Sequence, residues 1–173
     1  MTVIWREQMS VGNTMIDDEH RYLLCLINTL ELAIRTDDPE EIISTTLEQL
    51  VDYTRVHFTN EEEIQRKINY PDLQEHRQEH KKIMQDLYEV KEKLDKILSR
   101  KRPEKPAPAA EQQEPADIEN ELEQLLDDES SPRLNESDLT PLIDLARRWI
   151  IAHVIGSDLK MKPYLKKHQG SLT

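Results

Sequence analysis

Seven side chains that can bind metal stand at spacings that a helical core must satisfy together: His20, His57 with Glu61, His76 with His80, and His153 with Asp158. A helix advances about 100° per residue, so a step of four returns a side chain to nearly the same face. Both His57/Glu61 and His76/His80 use that step. Every one of these groups shares its stripe with apolar residues. His20 runs with Leu23, Leu24 and Ile27, and His57 with Leu50, Thr54 and Ile64. His76 and His80 run with Leu73, Ile83 and Leu87, and His153 with Ala146, Trp149, Ile150 and Val154. Such stripes face a core. Burying five imidazoles and two carboxylates there without a partner costs several kcal/mol per ionised group, against a net domain stability of about 5–15 kcal/mol. Helices facing one another across a bundle gather such donors around metal, iron and zinc accept both donor types, and seven are too many for one zinc.

Composition supports a helical domain of modest size. The chain has 173 residues, 36% of them apolar, with only three glycines and one phenylalanine, which disfavours a sheet. No run of about 18 apolar residues occurs, and Trp5, Arg6 and Glu7 interrupt any signal-peptide pattern, so a cytoplasmic protein outside the membrane is expected. The net charge of −12 argues against nucleic acid and anionic membranes as partners. Cys25 cannot form an internal disulfide and, beside Leu24 and Leu26, is expected to be a small packing residue.

Punctuation along the chain predicts four helices, over 16–35, 39–67, 71–100 and 138–166. Asp17, Asp18 and Glu19 suit the first turn of the first helix. Asp38 with Pro39 and Glu41 makes a cap for the second, and Asn69-Tyr70-Pro71 ends it. Short connections make the first three helices antiparallel neighbours. The expected fold is all-α: an up-down-up-down antiparallel four-helix bundle in one domain over 1–173, with an N-terminal arm and a long acidic insert before the last helix. One spacing departs from simple helical geometry, because His153 and Asp158 are five apart and so about 140° apart on a regular helix. A widened, π-type turn near Gly156 is the expected remedy.

These residues resemble the hemerythrin family, in its single-domain bacterial form. The likeness rests on Trp5 and Val11-Gly12-Asn13-Thr14-Met15-Ile16-Asp17-Asp18-Glu19-His20, on His57-Phe58-Thr59-Asn60-Glu61-Glu62, on Tyr70-Pro71-Asp72-Leu73 followed by His76 and His80, and on Trp149-Ile150-Ile151-Ala152-His153 with Asp158. It covers residues 1–100 and about 137–168, and all seven ligand positions are filled. The resemblance implies two iron ions in a non-haem di-iron centre. His76, His80 and His153 would bind one iron and His20 and His57 the other, with Glu61, Asp158 and an oxo or hydroxo group bridging them. It also implies reversible O2 binding at the open position of the two-histidine iron, as a carrier, store or delivery protein and not as an enzyme. Offsets from His153 and His20 make Leu24, Trp149, Ile150 and Val154 candidates for the apolar wall of the oxygen pocket. Glu62 and Glu63, whose offsets from His57 are worse, are expected in solvent or behind the ligands, and His168 at the surface.

The insert at 101–137 departs from the family pattern. Residues 111–129 hold nine acidic residues and no Lys or Arg, a composition expected to stay largely disordered. Ile118, Leu122, Leu125 and Leu126 nevertheless repeat at helical spacing, which predicts a short amphipathic helix at 117–126 able to dock on the bundle or on a protein partner. Two other functions follow from the same residues. One is an oxygen or redox sensor read out through the insert. The other is a di-iron enzyme reducing peroxide or nitric oxide, for which Tyr22 and Tyr53 are the nearby donors, though packing suits them better. The chain is expected to be a monomer.

Overall fold

The computed structural model describes residues 2–36, 40–101 and 136–168. Helix α1 spans Thr14–Arg35, α2 Glu40–Lys67, α3 Leu73–Lys101 and α4 Glu136–Gly156. A turn of 3-10 helix at Asp158–Met161 then leads into the short helix α5, Lys162–Lys167. Helix α1 packs on α2 and α4, α2 on α3, and α3 on α4, so the four long helices close into a ring. The protein is an all-α four-helix bundle. Among the described residues no helix is long and apolar enough to cross a membrane.

The helix ends follow from local chemistry. Helix α1 starts at Thr14, ahead of the expected 16, because the Asn13 side chain accepts the Ile16 N–H at 3.1 Å and caps the first turn. Gly12, at φ +86°, makes the bend that brings the arm onto this cap. Helix α2 closes in a Schellman motif: Asn69 takes φ +53°, Tyr70 N–H donates to Gln65 O at 2.9 Å and Asn69 N–H to Arg66 O at 3.2 Å. Its apolar seal is Tyr70, which packs with Ile64 and Ile68. The expected cap at Asp38 and Pro39 and the expected helix at 117–126 lie outside the described residues, although α3 and α4 reach into both ends of 101–137.

Three expectations are corrected. The last helix is not continuous over 138–166, and the irregularity near Gly156 tightens the backbone where a widened turn was expected. Ser157 N–H still donates to His153 O at 2.7 Å, an ordinary helical bond, after which Lys160 N–H donates to Ser157 O at 3.1 Å. That i to i−3 bond is the 3-10 pattern. Tightening turns Asp158 inward by ending the α-helix two residues before it. Cys25 is exposed and not a packing residue, because the residues on either side of it take the two inward directions.

Apolar burial divides into two clusters. The larger, around Leu23, Ile27, Leu30, Leu47, Leu50 and Leu87, fills the length of the bundle. The smaller, around Val11, Ile16, Ile68, Met161 and Leu165, closes the end where α5 folds under. The arm is strapped on by reciprocal bonds. Val3 N–H donates to Asn28 Oδ1 at 3.0 Å and Asn28 Nδ2–H returns to Val3 O at 2.8 Å. Nearer the helix, buried Asp17 accepts from Val11 N–H at 2.8 Å and from Ser10 Oγ–H at 2.7 Å. Replacing Asp17 by alanine strands the buried Val11 N–H, so Asp17→Ala should lower stability by about 1–3 kcal/mol in urea unfolding and hasten proteolysis within residues 2–11. An unchanged midpoint would show that Asp17 does not hold the arm.

Candidate metal centre

All seven predicted donors are brought together, and each is buried, with exposure between 0% and 4%. Helix α1 supplies His20, α2 His57 and Glu61, α3 His76 and His80, α4 His153, and the 3-10 turn Asp158. Their donor atoms form two groups, within each of which all lie within 4.8 Å of one another. One is Glu61, His76, His80 and His153; the other is His20, His57, Glu61 and Asp158. Glu61 belongs to both. Asp158 also faces both sides, since Oδ1 lies 3.2 Å from His153 Nε2 and Oδ2 lies 3.2 Å from His20 Nε2.

These approaches are close without being hydrogen bonds. His57 Nε2, His80 Nε2, His153 Nε2, Glu61 Oε1 and both oxygens of Asp158 are buried with no hydrogen-bond partner among the described residues. An orphaned buried polar group costs about 1–3 kcal/mol, and this many converging on one volume is a donor set that a cation satisfies. The residues therefore fit a metal centre. The electrostatics agree. Glu61 is held well below the usual carboxylate range, because the contacts of His76 and His80 outweigh the opposing effect of burial. Asp158 is pushed well above it by burial, and further by the charge of Glu61. Two enclosed carboxylates thus differ in proton affinity, as expected where anions crowd together without a positive charge.

Residues 11–114, well over half of the chain, match the hemerythrin HHE cation-binding domain. The chain belongs to the hemerythrin family. The bacteriohemerythrin of Stenotrophomonas maltophilia is 27% identical over 89 residues, 51% of this chain and 58% of its own length. A hemerythrin-like protein of Naegleria gruberi is 31% identical over 87 residues, 50% of this chain and 67% of its own. The myohemerythrin of Theromyzon tessulatum is 27% identical over 158 residues, 91% and 89% of the two chains. This hemerythrin thus spans less than two thirds of the bacterial relative. The matched domain stretch contains five of the donors, while His153 and Asp158 lie beyond it and join the site through the packing of α4 on α1 and α3.

Three carboxylates behind the donors orient the rings of this hemerythrin. His57 Nδ1–H donates to Glu19 Oε2 at 2.9 Å, His80 Nδ1–H to Glu62 Oε1 at 3.0 Å and His153 Nδ1–H to Glu79 Oε2 at 3.2 Å. Each bond turns the Nε2 lone pair toward the centre. Glu19 is held in turn by Asn60, whose Nδ2–H donates to Oε1 at 2.6 Å, and Glu62 by Arg77 at 2.8 Å. Glu79 also accepts Ser157 Oγ–H at 2.5 Å, so one oxygen pins both His153 and the residue preceding Asp158. Sequence reasoning left Glu62 either in solvent or behind the ligands and missed Glu19 and Glu79. Their signal was adjacency, because each precedes a donor on its own helix yet serves a histidine on another. Glu63 pairs with Lys67 in solvent, and His168 is half-buried at the end of α5.

Of the expected pocket wall, Leu24, Trp149 and Val154 are buried, and the side chain of Ile150 lies outside the described set. Phe58, which sequence reasoning did not single out, packs against the donors and Trp149. Its ring stacks on His80 at 3.7 Å and meets His153 edge-on at 5.5 Å and Trp149 at 5.9 Å. Tyr22 is exposed and touches Tyr53 edge-on at 4.4 Å, a packing contact.

Acidity should expose the cost of burying these rings. Burial holds the His153 pKa down at about 2 and lowers that of His20, whereas His76 is raised because the bond and charge of Glu61 outweigh burial. An unfolded chain protonates its histidines near the ordinary 6.5, while folded His153 stays neutral down to about 2. Across that window the unfolded state binds the extra proton, so the contribution of His153 is fully present above it and declines as pH falls. In metal-free protein, His153→Leu should flatten the fall of the urea midpoint between about pH 7 and 5. An unaltered slope would mean that burial does not keep His153 neutral.

Proposed function

We propose that this hemerythrin is a non-haem di-iron protein that binds O2 reversibly. The observation that carries the reading is the sharing of Glu61, and of the two faces of Asp158, between a three-histidine group and a two-histidine group. His76, His80 and His153 would hold one iron, His20 and His57 the other, and Glu61 and Asp158 both. Iron held by these residues would supply the two electrons that O2 takes up on binding and returns on release. The protein's part is to favour that return. Five neutral nitrogens and two carboxylates stabilise the ferrous pair, whereas carboxylate-rich sites favour high-valent iron and O–O cleavage. The two-histidine side has one protein donor fewer, which makes it the side for O2. Phe58, Leu24, Trp149 and Val154 keep water from the donors, and dryness slows loss of electrons to solvent. A carrier, store or delivery role fits this donor set better than catalysis of peroxide or nitric oxide reduction.

Anaerobic reconstitution with ferrous iron, followed by cycles of O2 addition and removal, tests the reading. About two irons per chain and an absorption band that appears and disappears with O2 are expected. Irreversible oxidation with turnover of peroxide would replace the carrier reading with an enzymatic one. A second test targets the residues that join the two halves. Asp158→Ala should lose bound iron, and Glu79→Ala, which frees His153 and Ser157 together, should weaken iron retention by about 10- to 100-fold. Full iron content in Asp158→Ala would remove Asp158 from the shared position.

A further inference from the structure

The end of the bundle that α5 closes is basic. Residues 160–168 carry Lys160, Lys162, Lys166 and Lys167 and no acidic residue, and all four lysines are exposed. Among the described residues none of them pairs with a carboxylate; Lys162 Nζ–H donates to Ser10 O at 2.7 Å instead. Asp72, just ahead of α3, is an exposed acidic group near Tyr70. At physiological salt a charge is screened beyond about 8 Å, so a partner arriving here meets the lysines and not the net −12 of the chain.

Aromatic rings lead inward from this face to the donors. Tyr164 is 36% exposed, Tyr70 5% and His76 4%. The rings of Tyr164 and Tyr70 meet edge-on at 5.2 Å, and those of Tyr70 and His76 edge-on at 6.4 Å. Trp5 also stands 6.4 Å from a donor ring, that of His20, but Arg21 covers its face at 4.5 Å and no exposed ring among the described residues continues it outward.

We propose that an acidic one-electron carrier protein docks on this lysine face and passes electrons through Tyr164 and Tyr70 to His76. The proposal rests on the di-iron reading, since a pair that has lost electrons to solvent no longer takes up O2 and needs a reductant from outside. Each encounter oxidises the carrier by one electron and reduces one ferric iron. Two encounters restore the pair, no bond forms or breaks, and the tyrosine rings serve as the packed medium between the redox groups. Electron transfer falls steeply with distance, so the place where rings run from solvent to a donor is the place of contact. Charge and size select the partner. Redox encounters are brief, bury less than about 1,200 Å² and are guided by complementary charge, which suits a short helix with lysines around one exposed ring. His76 belongs to the three-histidine group, so electrons enter on the side away from the position proposed for O2 and the two routes do not compete.

Docking and electron transfer are measured separately, with an acidic plant-type ferredoxin as the probe. In its oxidised form it should bind the full chain, with or without iron, in titration calorimetry at low salt. Lys160→Gln, Lys166→Gln and Lys167→Gln together should weaken that binding by about tenfold. Raising the salt from about 0.01 to 0.15 M, which shortens the screening length from about 30 to 8 Å, should narrow the difference. Equal affinity of the two chains, or a face that holds phosphatidylserine vesicles and not ferredoxin, would overturn the proposal whatever the iron content. Stopped-flow reduction of the ferric protein by reduced ferredoxin tests the rings. Tyr70→Leu keeps the apolar seal of α2 but removes the ring, and should slow this step severalfold while ferredoxin affinity and the rate with dithionite stay unchanged; Tyr70→Phe should restore it. An unaltered rate in Tyr70→Leu would overturn the path through Tyr70. A chain that holds no iron pair but still loses ferredoxin with the lysines would fail the di-iron reading and support the docking.

Discussion

Glu61 Oε2 lies 3.1 Å from both His76 Nε2 and His80 Nε2, and this carboxylate, wholly enclosed, is the point on which the bundle turns. An anion in that position is tolerable only with positive charge or strong donors around it. Every long helix answers the demand with an imidazole, and the 3-10 turn adds a second carboxylate that burial drives toward its protonated form. The two apolar clusters are then forced to lie above and below this layer. The donors thus set the layering, and the leucine and isoleucine stripes fill what the donors leave.

Orientation of the donors is distributed across helices. Each carboxylate behind the site stands next to a donor in sequence, yet bonds a ring from a neighbouring helix: Glu19 on α1 serves α2, Glu62 on α2 serves α3, and Glu79 on α3 serves α4. A shift of one helix along its axis would therefore break a bond on the next, so the ring of helices is held in register by polar contacts that packing alone would not specify. Glu79 shows how this solves the awkward interval between His153 and Asp158. By holding Ser157 and His153 on one oxygen it fixes the end of α4, and the tighter 3-10 turn then carries Asp158 inward.

Family membership and donor geometry support each other from different residues. The matched domain stops before the last helix, so the agreement of His153 and Asp158 with the first five donors is a geometric fact supplied by packing. The arm is integrated in the same way, through Asp17 and Asn28, and places Trp5 over His20.

Helical periodicity and donor spacing made four helices and all seven donors legible, because a residue's face on its own helix is a local property that 100° per residue determines. The Schellman end of α2 was equally local, written in Asn69-Tyr70-Pro71. What crosses between helices was not. Nothing local marks Glu19, Glu79 or Phe58 as neighbours of the donor rings, and Cys25 beside two leucines is expected to pack, since each is defined by what another helix presents to it. The break after Gly156 belongs to this second class: Asp158 must reach the centre, and only the contact between α3 and α4 dictates that the chain tightens to let it. Sequence by itself determined which groups must be buried together, through the high cost of enclosing them apart; tertiary structure decided which carboxylate orients which ring and how the final turn closes, because those choices depend on distances between segments far apart in the chain.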